Sequence, residues 1–225
     1  VAEERDVALA LTLKTRVNLA LHHLLAACRA CSAIKDLETA HTGEGYGPFW
    51  DEILHNALTV STLSVAALEA YANQLYSDGA LNKAGLTPAA AEEIGTLADG
   101  EQILKKYSLI LAISKGTRLD HGAPPVQNAD ALIKLRNAVV HFKPEWFDEQ
   151  DKHDKLSRLL AYKFQQTPFL KPEPIFPRAW ASHSFAAWAI LSTASFIDYF
   201  HAQLGTESFL TKWKGKISEL SSGAL

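Results

Sequence analysis

The stretch "FAAWAILSTASFIDYF", Phe185 to Phe200, is the most membrane-like run in this chain of 225 residues, and its reading decides the fold. A membrane-spanning helix needs about 20 consecutive apolar residues. This run is shorter and carries Ser192, Thr193, Ser195 and Asp198. It therefore reads as a helix buried in a protein core, extending from about Trp180 to Gly205, and no membrane partner is expected.

Helical period continues on both sides of it. From about Glu3 to Asp36 the apolar residues Val7, Leu11, Val17, Leu21, Leu24, Leu25 and Cys28 recur at helical spacing, which predicts a long helix ending before "HTGEGYG". Pro48 then sits where a first-turn proline is tolerated, and a second long helix runs to about Ser77, stopped by "SDG". Its Ala57, Ser61 and Ser64 are small enough to admit another helix closely. Between Gly79 and Asn128 the pattern weakens into a helical insertion. A short helix is expected after the Thr87-Pro88 cap and another from Glu101 to Ser114, closed by Lys115-Gly116.

Further on, "HGAPPVQN" reads as a loop, with Asn128 capping a helix that ends near Phe142, because Pro144 restricts the residue before it. The charged segment Asp148 to Lys163 adds a helix. Prolines 168, 172, 174 and 177 make an extended connection, and an amphipathic helix covers Ser208 to Leu220. No strand and no repeat stands out. The expected fold is all-α, a single domain over residues 1–225: an irregular bundle of four or five principal helices with a helical insertion.

Composition limits what such a bundle can do. At 48% hydrophobic content the chain can bury roughly 70–75% of its unfolded surface. A formal charge of -3 and a pI near 6.3 exclude a generally basic surface, so any nucleic-acid contact must come from a local patch. The two cysteines, Cys28 and Cys31 in "CRAC", form no disulfide framework and lack the second half of a zinc site. They could join His22 or His23 at a metal, but the favoured reading is small apolar residues in a core helix, with no metal and no cofactor. Reduced thiols and an acidic start, "VAEERDVALA", without the features of a signal peptide, lead to the expectation of a cytoplasmic protein. The chain holds no methionine, so its first residue is not expected to be the native start.

Chemistry concentrates in "LIKLRNAVVHFKPEW", Leu132 to Trp146. Four residues make slightly more than one helical turn, so Asn137 and His141 share a face and can touch one ligand. Arg136 lies about 140° around the helix from His141, but its long guanidinium arm can reach back. A phosphate-binding fork would then stand beside a titrating imidazole. The other reading is that Arg136 pairs with an acid and His141 caps the helix end, where the dipole favours a cation. Glu69, set among alanines in "VAALEAY", either points to water or partners Arg136.

"LRNAVVHF" resembles the R-x4-H signature of the HEPN superfamily of α-helical domains, and "SVAALEAYANQLY" is similar to the corresponding helix of many HEPN proteins, including its single glutamate, here Glu69. The resemblance implies a metal-independent endoribonuclease whose site forms where two HEPN domains meet. In it His141 is the general base on the ribose 2′-hydroxyl, Arg136 stabilises the charge on the scissile phosphate, and Asn137 orients either group. It further implies an RNA substrate, a homodimer, and a toxin or anti-phage (abortive-infection) role with a cognate antitoxin or defence partner. One departure matters. Some HEPN toxins carry R-x4-H-x-Y, with a tyrosine modified by a partner nucleotidyltransferase; the position is Lys143 here, which puts that mode of neutralisation in doubt. Lys143 either binds RNA phosphate or is a solvated helix-end lysine, and Trp146 stacks on a base or packs in a core or interface.

No P-loop, dinucleotide fingerprint, H-E-x-x-H or G-x-S-x-G occurs, so those chemistries lack their sequence support. His55, His153, His183 and His201 show no ligand spacing. The alternative to an enzyme is a non-catalytic helical module of the same fold that binds a protein or nucleotide partner.

Overall fold

The structure, a computed structural model, describes residues 17–143 and 153–221. These residues form an all-α bundle, with no strand among them.

Helix α1, Leu19–Ala40, opens where Asn18 leaves the helical conformation and its side chain accepts a hydrogen bond from the Ala20 N–H at 3.0 Å. The part of the expected helix before Val17 lies outside the described residues. Leu24, Ala27, Cys28, Cys31 and Ile34 recur on one face and are buried against α2, Trp50–Ser77. Pro48 stands one residue before the Phe49 cap of α2 rather than in its first turn. At the other end the Asp78 N–H closes on the Gln74 carbonyl and Gly79 takes a left-handed φ of 71°, which a side chain would resist.

Ala57, Ser61 and Ser64 are fully buried, and α8, His183–Leu204, comes close enough there for the Thr193 hydroxyl to lie 3.4 Å from the Ser64 carbonyl oxygen. Helix α8 is the buried core helix expected from its sequence, with Phe185, Trp188, Phe196 and Phe200 inside. It begins at His183 rather than Trp180, because the Ser182 hydroxyl accepts the Phe185 N–H and fixes the start. By length and composition it is α2 that could cross a membrane, and its apolar face is covered by α1 and α8.

The insertion holds α3, Ala80–Lys83, α4, Pro88–Asp99, and α5, Ile103–Lys115. Thr87 caps α4 by accepting the Ala90 N–H, and Gly116, at φ 68°, ends α5. Helix α5 also belongs to the core. Tyr107 is fully buried, meets Phe196 and Phe200 edge-on at 4.8 and 4.9 Å, and donates its hydroxyl to the Leu68 carbonyl at 2.7 Å.

Helix α6, Pro124–Val140, corrects the sequence reading. The prolines of "HGAPPVQN" are not loop residues but the first turn of the helix, where a missing N–H leaves nothing unsatisfied and the fixed φ is already helical. Asn128 therefore lies inside α6 instead of capping it, and its side-chain oxygen accepts the Lys163 ammonium at 2.8 Å. The helix ends at Val140 with His141 as its cap. Pro144 and Trp146 lie outside the described residues.

The charged segment contributes α7, Asp154–Leu160. The proline-rich connection contains an irregular turn at Ile175–Ala179. The single helix expected over Ser208 to Leu220 is two pieces, a 3₁₀ turn at Phe209–Lys212 and α9, Lys214–Leu220. The tight bond from the Trp213 N–H to the Leu210 carbonyl closes the first piece, and Gly215 weakens helical continuity just beyond it.

Candidate functional site

Leu132 and Leu135 are fully buried and fix how α6 is rolled against α2 and α8. That roll turns Arg136 sideways and leaves Asn137 exposed. The Arg136 guanidinium reaches the Glu69 carboxylate on α2, Nη2 to Oε2 at 3.9 Å, with side-chain exposures of 23% and 45%. Of the two readings open for Glu69, partner of Arg136 or exposed acid, the structure shows the first in a half-open setting.

Glu69, Arg136 and Asn137 line one cavity of about 380 Å³, together with Asp130 and Lys134 one to two turns back along α6. Asp130 and Lys134 form an ion pair at 2.6 Å, so that part of the wall is neutralised. Neither was singled out in the sequence, although their i,i+4 spacing on the face that carries Asn137 could have flagged them.

His141 is placed differently. It is the cap residue of α6, its N–H donates to the Asn137 carbonyl at 3.0 Å, and its side chain is exposed beyond the cavity that Arg136 and Asn137 line. Lys143, two residues on, is also exposed. Phe142 between them packs edge-on against Phe176 at 5.9 Å and stacks with His153 at 6.2 Å. This cluster anchors the end of α6, so His141 and Lys143 stand on a fixed helix terminus. The aromatic directly after the histidine was the available signal for it.

Chemically, the arrangement offers a guanidinium held by a carboxylate, an amide beside it, and an imidazole and an ammonium one turn further on. The guanidinium and amide can bind a phosphate, and an accessible imidazole can take or give a proton to a group docked across the helix end.

Cys28 and Cys31 are buried in α1, and burial pushes each thiol up to about 12. The Cys31 sulfur lies 3.9 Å from the Ser221 carbonyl oxygen. Among the described residues no three His, Cys, Asp or Glu side chains gather as a metal site. His201 is a satisfied core histidine: one ring nitrogen meets the Tyr71 hydroxyl and the other the Thr206 hydroxyl at 2.7 Å. The His183 backbone N–H donates to Glu38 at 2.7 Å, so a carboxylate from α1 sits at the start of α8.

The chain matches no protein-family model, no curated protein and no solved structure.

Proposed function

We propose that this protein is a metal-independent endoribonuclease of the HEPN type that works as a homodimer, in a toxin or anti-phage defence role. The observation that carries the proposal is the pairing of Arg136 with Glu69 beside Asn137, with His141 exposed one turn further along the same helix.

In this reading the two α6 ends of a dimer face one RNA strand. His141 of one subunit removes the proton from a ribose 2′-hydroxyl, and the oxygen attacks the adjacent phosphorus. The bond from phosphorus to the 5′-oxygen breaks, and that oxygen takes a proton from the second subunit's histidine. The products are a 2′,3′-cyclic phosphate and a 5′-hydroxyl. Arg136 neutralises the charge that builds on the phosphoryl oxygens, Glu69 keeps its guanidinium in place, and Asn137 orients the phosphate. Lys143 adds a backbone-phosphate contact. A cognate antitoxin would act by covering this helix end, since Lys143 replaces the tyrosine that modification would need.

A second reading, a non-catalytic module that binds a protein or nucleotide, is favoured by one observation: His141 is the cap of α6 and lies outside the cavity of Arg136 and Asn137. The two are separated by incubating the protein with RNA in chelator. The enzyme reading expects cleavage to persist, cyclic-phosphate ends, and no cutting where the 2′-hydroxyl is replaced by hydrogen. Activity that disappears on chelation and returns with magnesium contradicts it.

A further inference from the structure

We propose that the cavity at Arg136 is one end of a longer groove that holds the RNA strand, with Arg118 as a phosphate contact at its far end. This inference rests on the ribonuclease reading.

The cavity at Arg136 adjoins a second and larger one, of about 650 Å³, and the two share Glu101, Gln102, Leu104 and Asp130 as walls. In this proposal the two adjoining cavities act as one groove. The first part follows α6 from Asp130 to Asn137. The second follows α5 from Gln102 to Ala112, a rise of about 15 Å at helical pitch. The groove therefore extends well past a single scissile phosphate.

Its charge is arranged unevenly. Glu69, Glu101 and Asp130 hold Arg136, Lys105 and Lys134 respectively, so three acids are matched by three cations. Arg118 in the larger part is exposed and has no acid partner among the described residues. In a chain of formal charge -3, this leaves a local positive end on the groove.

The loop that presents Arg118 is fixed. Leu119 is buried and its N–H meets the Ser108 hydroxyl at 3.4 Å, and the Asp120 carboxylate accepts the Gly122 N–H at 2.7 Å. Where the two parts join stands the start of α5, whose Gln102 provides no side-chain cap. Such a helix start favours a phosphate. The exposed Leu97 and the half-buried Leu109 give the larger part apolar surface against which bases can lie. Cation, helix start and guanidinium are thus strung along one groove with apolar surface between them, a pattern suited to a single-stranded phosphodiester chain.

The test uses the intact protein with oligouridylates. Binding of a fluorescent, non-cleavable 2′-O-methyl 12-mer is measured against salt by anisotropy, and cleavage is measured on an ordinary 12-mer and on the dinucleotide UpU. Arg118→Ala is expected to weaken 12-mer binding several-fold and to make the salt dependence shallower by about 0.7 in the log–log slope, the share of one phosphate on a single strand. Arg118→Lys should restore most of the slope. Cleavage of the 12-mer should fall in Arg118→Ala while that of UpU stays unchanged. Leu97→Asp, at an exposed position that the fold tolerates, should also weaken the 12-mer.

Unchanged 12-mer affinity and slope in Arg118→Ala overturn the groove, even if the protein cuts RNA through His141. Displacement of the 12-mer by polyglutamate as readily as by RNA also overturns it, and assigns the groove to an acidic peptide. Arg118-dependent binding without any cleavage sustains the groove while the ribonuclease reading falls.

Discussion

Replacing Glu69 by Gln separates a structural role of the Arg136 pair from a functional one. The partners lie 3.9 Å apart and are 23% and 45% exposed. At that distance in water two unit charges attract by about 1 kcal/mol, and ordering two long side chains removes part of it, so such pairs contribute about 0.2–1 kcal/mol to stability. For a domain of this size that is a fall in Tm of no more than about 2–4 °C. The effect on reaction should be larger. Removing a donor that stabilises transition-state charge costs about 10²–10³ in rate, which is the expectation for Arg136→Ala. Glu69→Gln keeps the guanidinium but loosens its hold, so the loss should be about tenfold, close to 1.4 kcal/mol of barrier. Thermal melting and kcat/KM on one RNA, measured for wild type, both variants and the double variant, give the comparison. The double variant should be no slower than Arg136→Ala, because Glu69 acts through the arginine. A Glu69→Gln protein that melts well below this range and cuts RNA at the wild-type rate would make the pair structural rather than functional.

Stability should fall on mild acidification. Burial holds the His201 imidazole below its ordinary 6.5, with Asp198 opposing, and burial with Lys35 nearby does the same to His183. As pH falls through about 6.5 the unfolded chain takes up protons that the native chain refuses, so stability is full above that pH and is lost toward the folded values. Burial raises Glu38 above its ordinary 4.5, which works in the opposite sense at lower pH, so the melts are compared between about pH 7.5 and 5.5. Tm should drop over that interval, and His201→Gln should flatten the drop; a flat wild-type profile contradicts this. The cysteines should resist labelling, because burial pushes both thiols up to about 12 and leaves almost no thiolate near neutrality. A thiol reagent should count none in the native protein and both in denaturant, and rapid labelling of the native state would show that α1 opens.

The bundle was legible in the sequence wherever the determinants are local. Gly116 and Gly205 end α5 and α8 in the left-handed conformation, and Thr87 caps α4 as its position before Pro88 predicts. Asn128 misled, because proline is read first as a breaker, and only the tertiary placement of α6 shows Pro124 and Pro125 used as a helix start. The small residues at Ala57, Ser61 and Ser64 correctly forecast a close helix crossing. The pairing of Glu69 with Arg136 was one of two open readings, since an acid among alanines does not say which helix will lie beside it. Wholly illegible was the groove along α5, and the aromatic after His141 hinted at an anchor without naming its partner Phe176, since both depend on segments far apart in the chain. The exposure of His141 outside the Arg136 cavity was equally hidden, because it depends on where α6 stops relative to its neighbours.

His141 is proposed to move protons on RNA rather than merely to cap α6. RNA cleavage and thermal stability are measured on the same samples of wild type, His141→Ala and Asn137→Ala. Since the His141 side chain is exposed, its loss should leave Tm nearly unchanged while cleavage falls by about 10²- to 10⁴-fold, with a smaller fall for Asn137→Ala. A His141→Ala protein that melts early, having lost up to about 2 kcal/mol of helix-end stabilisation, yet cuts RNA as wild type does would leave His141 a helix cap with no part in catalysis.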